Sequence, residues 1–261
     1  MTIRITYPEG KIKALTMSYD DGVQEDIRLI EIFNEYNIKG SFHLNSSTFD
    51  KPGRFASDQV KDIYKGHEIS CHSSTHPFLE RVPAMEAMRE VWLDRQKLES
   101  LAGYPVVGMS YPMGTYSDNV IAILKGAGIK CCRTTLATGK FHLPNDFLAW
   151  HPTCHHRNML ELLPQFLDCR YALSIFFVWG HAYEFPRNDN WGDMESFCKQ
   201  ISGKQEIWYA TNIEICRYLT AMYQLEISVD GSLIYNPTAT EIWFTANGNL
   251  MSIKAGQSIQ I

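Results

Sequence analysis

Two hydrophobic periods alternate along most of the chain. Short apolar runs of strand length fall at 11–17, 40–45, 68–72, 106–111, 129–134, 147–153, 173–180 and 207–210, and each is bounded by turn-forming residues. Between them lie stretches with helical spacing, at 21–36, 57–64, 83–101, 118–125, 158–168, 193–202 and 212–223. In the first of these, Val23, Ile27, Ile30 and Phe33 recur at the interval that lines one face of a helix. Gly66, Gly103 and Gly126 stand where such helices stop, and Asp193 stands where one begins. Regular strand–helix alternation predicts parallel strands with helices outside. Seven or eight such units predict an α/β fold, a (β/α) barrel either complete or distorted. After residue 224 the pattern changes to short alternating runs separated by Asp230-Gly231, Asn236-Pro237, Asn247-Gly248 and Ala255-Gly256. These are turn signals between strands. The expected organisation is therefore a barrel over 1–224 and a small β appendage over 225–261 packed on it.

A barrel of this kind carries its chemistry at the C-terminal strand ends. Asp20-Asp21, His72, Tyr111-Pro112, Arg133, Thr153 and His181 all fall at such ends, so polar segments far apart in sequence map to one face. Two adjacent carboxylates at the end of a buried strand raise one another's pKa, and burial adds to the cost. Taken alone, Asp20-Asp21-Gly22 reads as a turn or a helix cap. The alternative is a cation between the carboxylates, or a carboxylate working as a base. His72 and His76 lie four apart, the spacing that puts two imidazoles on one side of a helical turn. Two such histidines are by themselves commonly just surface residues. With an aspartate from a neighbouring strand end they form a facial triad that leaves positions open for water and substrate.

Composition removes several classes. The chain has 261 residues, 45% hydrophobic, with a net charge of −5, and it holds no Lys/Arg run. Neither nucleic acid nor an acidic membrane surface is an expected partner. Seven cysteines without a Cys-x-x-Cys pair argue against a disulfide framework or a cysteine-rich zinc site. The first residues lack the apolar core of a signal peptide, and no run approaches the roughly 20 apolar residues of a membrane helix. Reduced thiols and a cytoplasmic location are the expectation. No Gly-x-Ser-x-Gly, phosphate loop or deaminase Pro-Cys-x-x-Cys is present. His151-Pro-Thr-Cys154-His155-His156 is dense in ligand-capable side chains; a second metal site, contacts behind the first site, and plain loop histidines all remain open for it.

The segment Gly66-His-Glu-Ile-Ser-Cys-His72-Ser-Ser-Thr-His76-Pro77, with Asp20-Asp21, Pro112-Met113-Gly114 and Val178-Trp-Gly-His181, resembles the polysaccharide deacetylases, the NodB-homology domain of carbohydrate esterase family four. The resemblance covers roughly 11–223, and the histidine motif is its most specific part. It implies a metal-dependent hydrolase that removes acetyl groups from an N- or O-acetylated sugar or oligosaccharide. Asp21, His72 and His76 would hold one divalent ion, zinc or else cobalt or nickel. Asp20 would be the general base, His181 the acid that protonates the leaving group, and the backbone N–H of Met113 an oxyanion donor. Tyr111, Pro112, Trp150, Tyr183 and Glu184 are the expected substrate contacts.

Two departures stand out. Ser110 occupies the place of the family's base-tethering arginine, for which Arg133 is the candidate replacement. The carboxylate that orients His181 is left between Asp146 and Glu184. Other readings are a hydrolase of a small amide on the same scaffold and a non-catalytic carbohydrate-binding relative. The oligomeric state, a homo-oligomer included, is open.

Overall fold

The computed structural model describes residues 2–170 and 173–261. Its first half runs β1 (Ile3–Thr6), β2 (Lys13–Asp20), α1 (Asp26–Glu35), β3 (Gly40–Leu44), α2 (Val60–Ile63), β4 (Glu68–Cys71), α3 (Ala84–Ala102), β5 (Gly108–Ser110), α4 (Asp118–Gly126) and β6 (Cys131–Arg133). The second runs β7 (Cys154–His155), α5 (Met159–Asp168), β8 (Ser174–His181), α6 (Glu184–Asn188), α7 (Trp191–Ile201), β9 (Ile207–Tyr209), α8 (Asn212–Met222) and then β10 (Glu226–Ile227), β11 (Leu233–Tyr235), β12 (Ile242–Ala246), β13 (Asn249–Ile253) and β14 (Ser258–Gln260).

The central sheet is the predicted parallel one, curled into a distorted (β/α) barrel. Its strands lie in the order β6-β5-β4-β3-β2-β8-β7, with β9 paired to the first half of β2. Every residue of β2 is buried, as expected of a parallel strand covered on both faces. Among the described residues the circle does not close through a ladder: one isolated bridge, Arg133 to Trp150, spans the seam between β6 and β7. The strand expected at 147–153 is reduced accordingly. Asp146 caps a turn of 3₁₀ helix by accepting the Leu148 N–H at 2.8 Å, Pro152 has no N–H to give a ladder, and the ladder to β8 is formed by Cys154–His155.

Register decides which side chains meet at the C-terminal rim. Asp20 lies level with His43 on β3 and with His181 on β8. Ser110 lies level with Arg133. One residue of slip in any of these pairs would turn the polar group to the other face.

The region after residue 224 is all β, in two three-stranded sheets, β1-β12-β13 and β10-β11-β14. The first recruits the N-terminal strand Ile3–Thr6, which the hydrophobic pattern did not mark. A division at residue 224 thus cuts across strand pairing. The appendage also shares a core with the barrel: Tyr7, Ile175, Phe177, Ile215, Ile242 and Phe244 are all buried in one cluster. The Tyr218 hydroxyl donates to the Thr6 carbonyl at 2.6 Å and accepts the Trp243 N–H at 3.0 Å, pinning α8 to both ends of the chain. Helix α8 itself starts at a Thr211/Glu214 capping box. Among the described residues no helix is long and apolar enough to cross a membrane.

Candidate active site

β2 ends in Asp20 and the chain then turns sharply. Asp21 has φ 81° and Gly22 φ 59°, and the Arg54 guanidinium holds this turn by donating to the Asp21 and Gly22 carbonyls at 2.9 and 3.3 Å. The turn aims the two carboxylates in different directions. The Asp20 side chain is buried, and Asp21 is about one-fifth exposed, 21%.

His72 and His76 come together without a helix. The segment after β4 is a loop in which Ser73 and His76 take left-handed φ values of 62° and 64°. The expectation of one helical turn is therefore wrong in conformation. The loop brings the two Nε2 atoms to 3.1 Å of one another, each 3.7 Å from Asp21 Oδ1. Asp94, projecting from α3, fixes the start of the loop by accepting the His72 and Ser46 backbone N–H groups at 2.9 and 2.8 Å. Its burial raises its pKa to about 7.

The hydrogen bonds of Ser110 determine the tautomer of His72. The Ser110 hydroxyl has one proton and points it at Asp20 Oδ1, 2.9 Å away, because an ionised carboxylate can only accept. The same oxygen, 2.6 Å from His72 Nδ1, must then accept there, as does the Ser110 carbonyl at 2.9 Å. His72 therefore carries its proton on Nδ1 and presents a bare Nε2 toward Asp21 and His76. That is the state in which imidazole ligates a metal. Two imidazole nitrogens and a carboxylate oxygen, open to solvent on one side, suit a divalent ion with free coordination positions.

Asp20 is held differently. Arg133, only 1% exposed, pairs through Nη2 with Asp20 Oδ2. Its Nε donates to Ser18 Oγ at 3.0 Å and its Nη1 to the Thr134 carbonyl at 3.2 Å, and its plane lies over the Trp179 ring at 4.7 Å. Burial pushes the Asp20 carboxyl up, but the Arg133 guanidinium, with His72, His43 and His181, outweighs it and holds Asp20 well below the usual carboxylate range. Ser110 and Arg133, adjacent in register, thus share the tether that one arginine would supply. Behind them, Ser18 Oγ lies 2.8 Å from His43 Nε2, and burial lowers the pKa of His43 to about 3.

Across the rim, His181 Nδ1 lies 2.7 Å from Glu184 Oε1. Burial lowers the pKa of His181, but Glu184, Asp20 and Asp21 together raise it above the ordinary value. Of the two candidate orienting carboxylates, Glu184 is in place and Asp146 is spent on its helix cap.

The remaining expected residues divide. Met113 takes φ 59° in the turn Pro112–Gly114. Tyr183 lies beside His181, with ring centroids 5.0 Å apart. Trp150 is core, packed between Phe147 and Phe177, and Tyr111 is buried with its hydroxyl on the Leu148 carbonyl. Pro112 is buried too, so all three of these side chains are packed inside the fold. Tyr116, stacked on Tyr111 at 5.3 Å, is the exposed ring there. Glu184 is occupied by histidines. All seven cysteines are buried and free; desolvation raises the Cys71 thiol well above its usual pKa, consistent with inertness. Arg54 and Asp94 were not anticipated. Asp94 left one signal, an acidic side chain on the apolar face of α3; Arg54 sits in a loop and left none.

Residues 8–132 match the family model for polysaccharide deacetylase. No curated protein matches the chain. Among solved structures, a Mycobacterium smegmatis protein assigned to the polysaccharide deacetylases is 17% identical with a TM-score of 0.65, over 84% of this chain and 94% of that one. The Xyl-CE4 domain of a multidomain xylanase from the hindgut metagenome of Trinervitermes trinervoides is 14% identical with a TM-score of 0.57, over 80% and 92%. A CE4 family pseudoenzyme of Bacillus anthracis is 17% identical with a TM-score of 0.53, over 82% and 68%. At these identities the likeness is one of fold. The sequence match ends at residue 132, one short of Arg133, and does not reach His181 or Glu184. Residues 8–132 thus carry the polysaccharide deacetylase signature, and the chain around them has the fold of solved structures of that class.

Proposed function

We propose that the protein is a divalent-metal-dependent hydrolase that removes an acetyl group from an N- or O-acetylated carbohydrate. The observation that carries this reading is the meeting of three arrangements at one rim. They are a bare His72 Nε2 beside His76 and Asp21, an Asp20 carboxylate fixed by Arg133 and Ser110, and a His181 polarised by Glu184. Asp21, His72 and His76 would hold the ion. Bound there, a divalent cation acidifies water and polarises the acyl oxygen.

The chain's own groups do the rest. Asp20 stays ionised throughout the working pH range, so it is always available to take the proton of the attacking water. Its depressed pKa makes it a weak base, which is why it suits an acidified water and not a free one. The Met113 backbone N–H is the proposed donor to the oxyanion. His181, held through Nδ1 by Glu184, delivers a proton to the departing amine or alkoxide. Tyr183 and the exposed Tyr116 are the rings proposed to meet the sugar.

The fold does not guarantee turnover, since a Bacillus anthracis relative is a CE4 family pseudoenzyme. Ser110 in place of the usual arginine would favour a non-catalytic binding protein if Asp20 were left untethered, but Arg133 tethers it. The small-amide alternative keeps every role and changes only the substrate. Asp20→Asn is expected to lower acetate release about 10²–10⁴-fold, the usual worth of general base catalysis, with metal affinity retained. Release from N-acetylated glucosamine oligomers of increasing length, compared with simple acetamides, separates a carbohydrate enzyme from a small-amide hydrolase. An Asp20→Asn protein with undiminished turnover sinks the mechanism.

A further inference from the structure

Glu184 is met by three histidines. His181 Nδ1 lies 2.7 Å from Oε1. His155 Nε2 lies 3.3 Å from both oxygens, and His156 Nε2 is 3.5 Å from Oε2. His155, His156 and Glu184 offer ligand atoms within 4.8 Å of one another, so by residue type the cluster could pass for a second metal site. Arg157 decides against that. Its backbone N–H and its Nε lie 3.3 and 3.1 Å from His155 Nδ1, and both are donors only. His155 Nδ1 must accept, so the proton of the neutral ring sits on Nε2 and points at Glu184. A metal ligand needs the reverse, a bare Nε2 with the proton on Nδ1, and that is what Ser110 imposes on His72. In two clusters that each hold a pair of histidines and a carboxylate, His72 and His155 are thus set to opposite tautomers by their neighbours.

We propose that His155 is a positioning residue for His181: locked as the Nε2–H tautomer by Arg157, it clamps the Glu184 carboxylate so that Oε1 takes the His181 Nδ1–H. The cluster is built for this. Glu184 is held well below the usual carboxylate range, since burial, which raises it, is outweighed by His155, His156 and His181. His156 is wedged against Phe185 (ring centroids 4.4 Å apart) and against Gly180, where any Cβ would run into its Nδ1. Glu184 therefore cannot swing away, and His181 is left with Nε2 as its proton-delivering atom. As the acyl bond breaks, its electron pair stays on the leaving nitrogen or oxygen. That atom takes the Nε2 proton, and His181 ends neutral with Nδ1–H still on Glu184. The inference rests on the deacetylase reading for the identity of the acid.

The test uses the leaving group. An amine must be protonated to depart, whereas 4-nitrophenolate leaves without a proton. In zinc-loaded protein, His155→Leu should lower turnover of an N-acetylated sugar by about tenfold or more and that of 4-nitrophenyl acetate by no more than about twofold. His155→Gln, which keeps an N–H toward Glu184, should recover most of the loss. Imidazole ¹⁵N shifts of the wild-type protein should report the Nε2–H tautomer at His155, unchanged by zinc. Parallel loss on both substrates would mean a structural role and overturn the proposal. So would a second equivalent of zinc that moves the His155 Nε2 signal. If the wild type turned over neither substrate, the deacetylase reading would fall, and an Nδ1–H tautomer at His155 would sink the positioning role independently.

Discussion

The rim of this barrel separates tasks that the sequence presents side by side. Asp20 and Asp21 are neighbours, yet one is buried against Arg133 and the other is part-exposed between two imidazoles. The left-handed backbone at Asp21 makes the difference, because it points consecutive carboxylates into unlike surroundings at a cost of order 1–3 kcal/mol. The Glu184 pair makes a signed pH prediction. His181 has a raised pKa, so its stabilising contact is fully present below the unfolded-state value of about 6.5 and fades as pH rises through the folded value. Glu184 has a depressed pKa, so its contribution is present above about 4.3 and fades on acidification. Glu184→Gln should therefore destabilise most between those two values, as read by urea midpoints across pH. It should also move the alkaline limb of the kcat/KM profile to lower pH, because His181 loses the charge that keeps it protonated. An unmoved limb would detach Glu184 from the acid. His72 and His76 were legible in the sequence through one dense motif, and Asp20, Asp21 and His181 through their places at strand ends. The tautomers were not, since they depend on Ser110 and Arg157, whose contacts arise only on folding.

At the scale of elements, strands deliver the chemistry and turns tune it. Asp20, Ser110, Arg133 and His181 all sit at the ends of strands, and the register of β2 with β8 and of β5 with β6 makes them level. Short apolar runs between stretches of helical spacing were enough to find these strands, because parallel strands buried on both faces read as plain apolar runs. The same rule misread 147–153, where a helix-capping Asp146 and Pro152 break the ladder that the apolar residues suggest. It also missed β1, a short edge strand whose partner lies at the far end of the chain, and α6, which is too brief to show a period. The turn Pro112–Gly114 offers a test at this scale. Gly114 has φ 72°, and a Cβ there would collide with the Thr135 side chain. Gly114→Ala should destabilise the fold by about 1–3 kcal/mol and reduce turnover, with metal binding unchanged. A variant of wild-type activity would remove the Met113 turn from the mechanism.

The whole molecule is tied together more tightly than the sequence pattern suggests. The segment 225–261 reads as an appendage, but it completes a core with β8 and α8 and pairs with the first strand of the chain. Removing it would bare Phe177, Ile215 and Leu219, each worth about 1.5–3 kcal/mol when fully buried. A chain ending at residue 224 should lose cooperative unfolding, as followed by near-UV circular dichroism against urea; a truncated chain with a native transition would establish the barrel as an independent unit. The barrel's open seam, bridged among the described residues at Arg133 and Trp150, places Arg133 where closure is least constrained by strand pairing. The most direct test of the account is acetate release from N-acetylated glucosamine oligomers by chelator-stripped protein, before and after titration with zinc. Release should be abolished by stripping and restored by a single equivalent of zinc in the wild type, and not restored in His76→Ala. Full release from the stripped protein would contradict the assignment of Asp21, His72 and His76 as the metal-holding set.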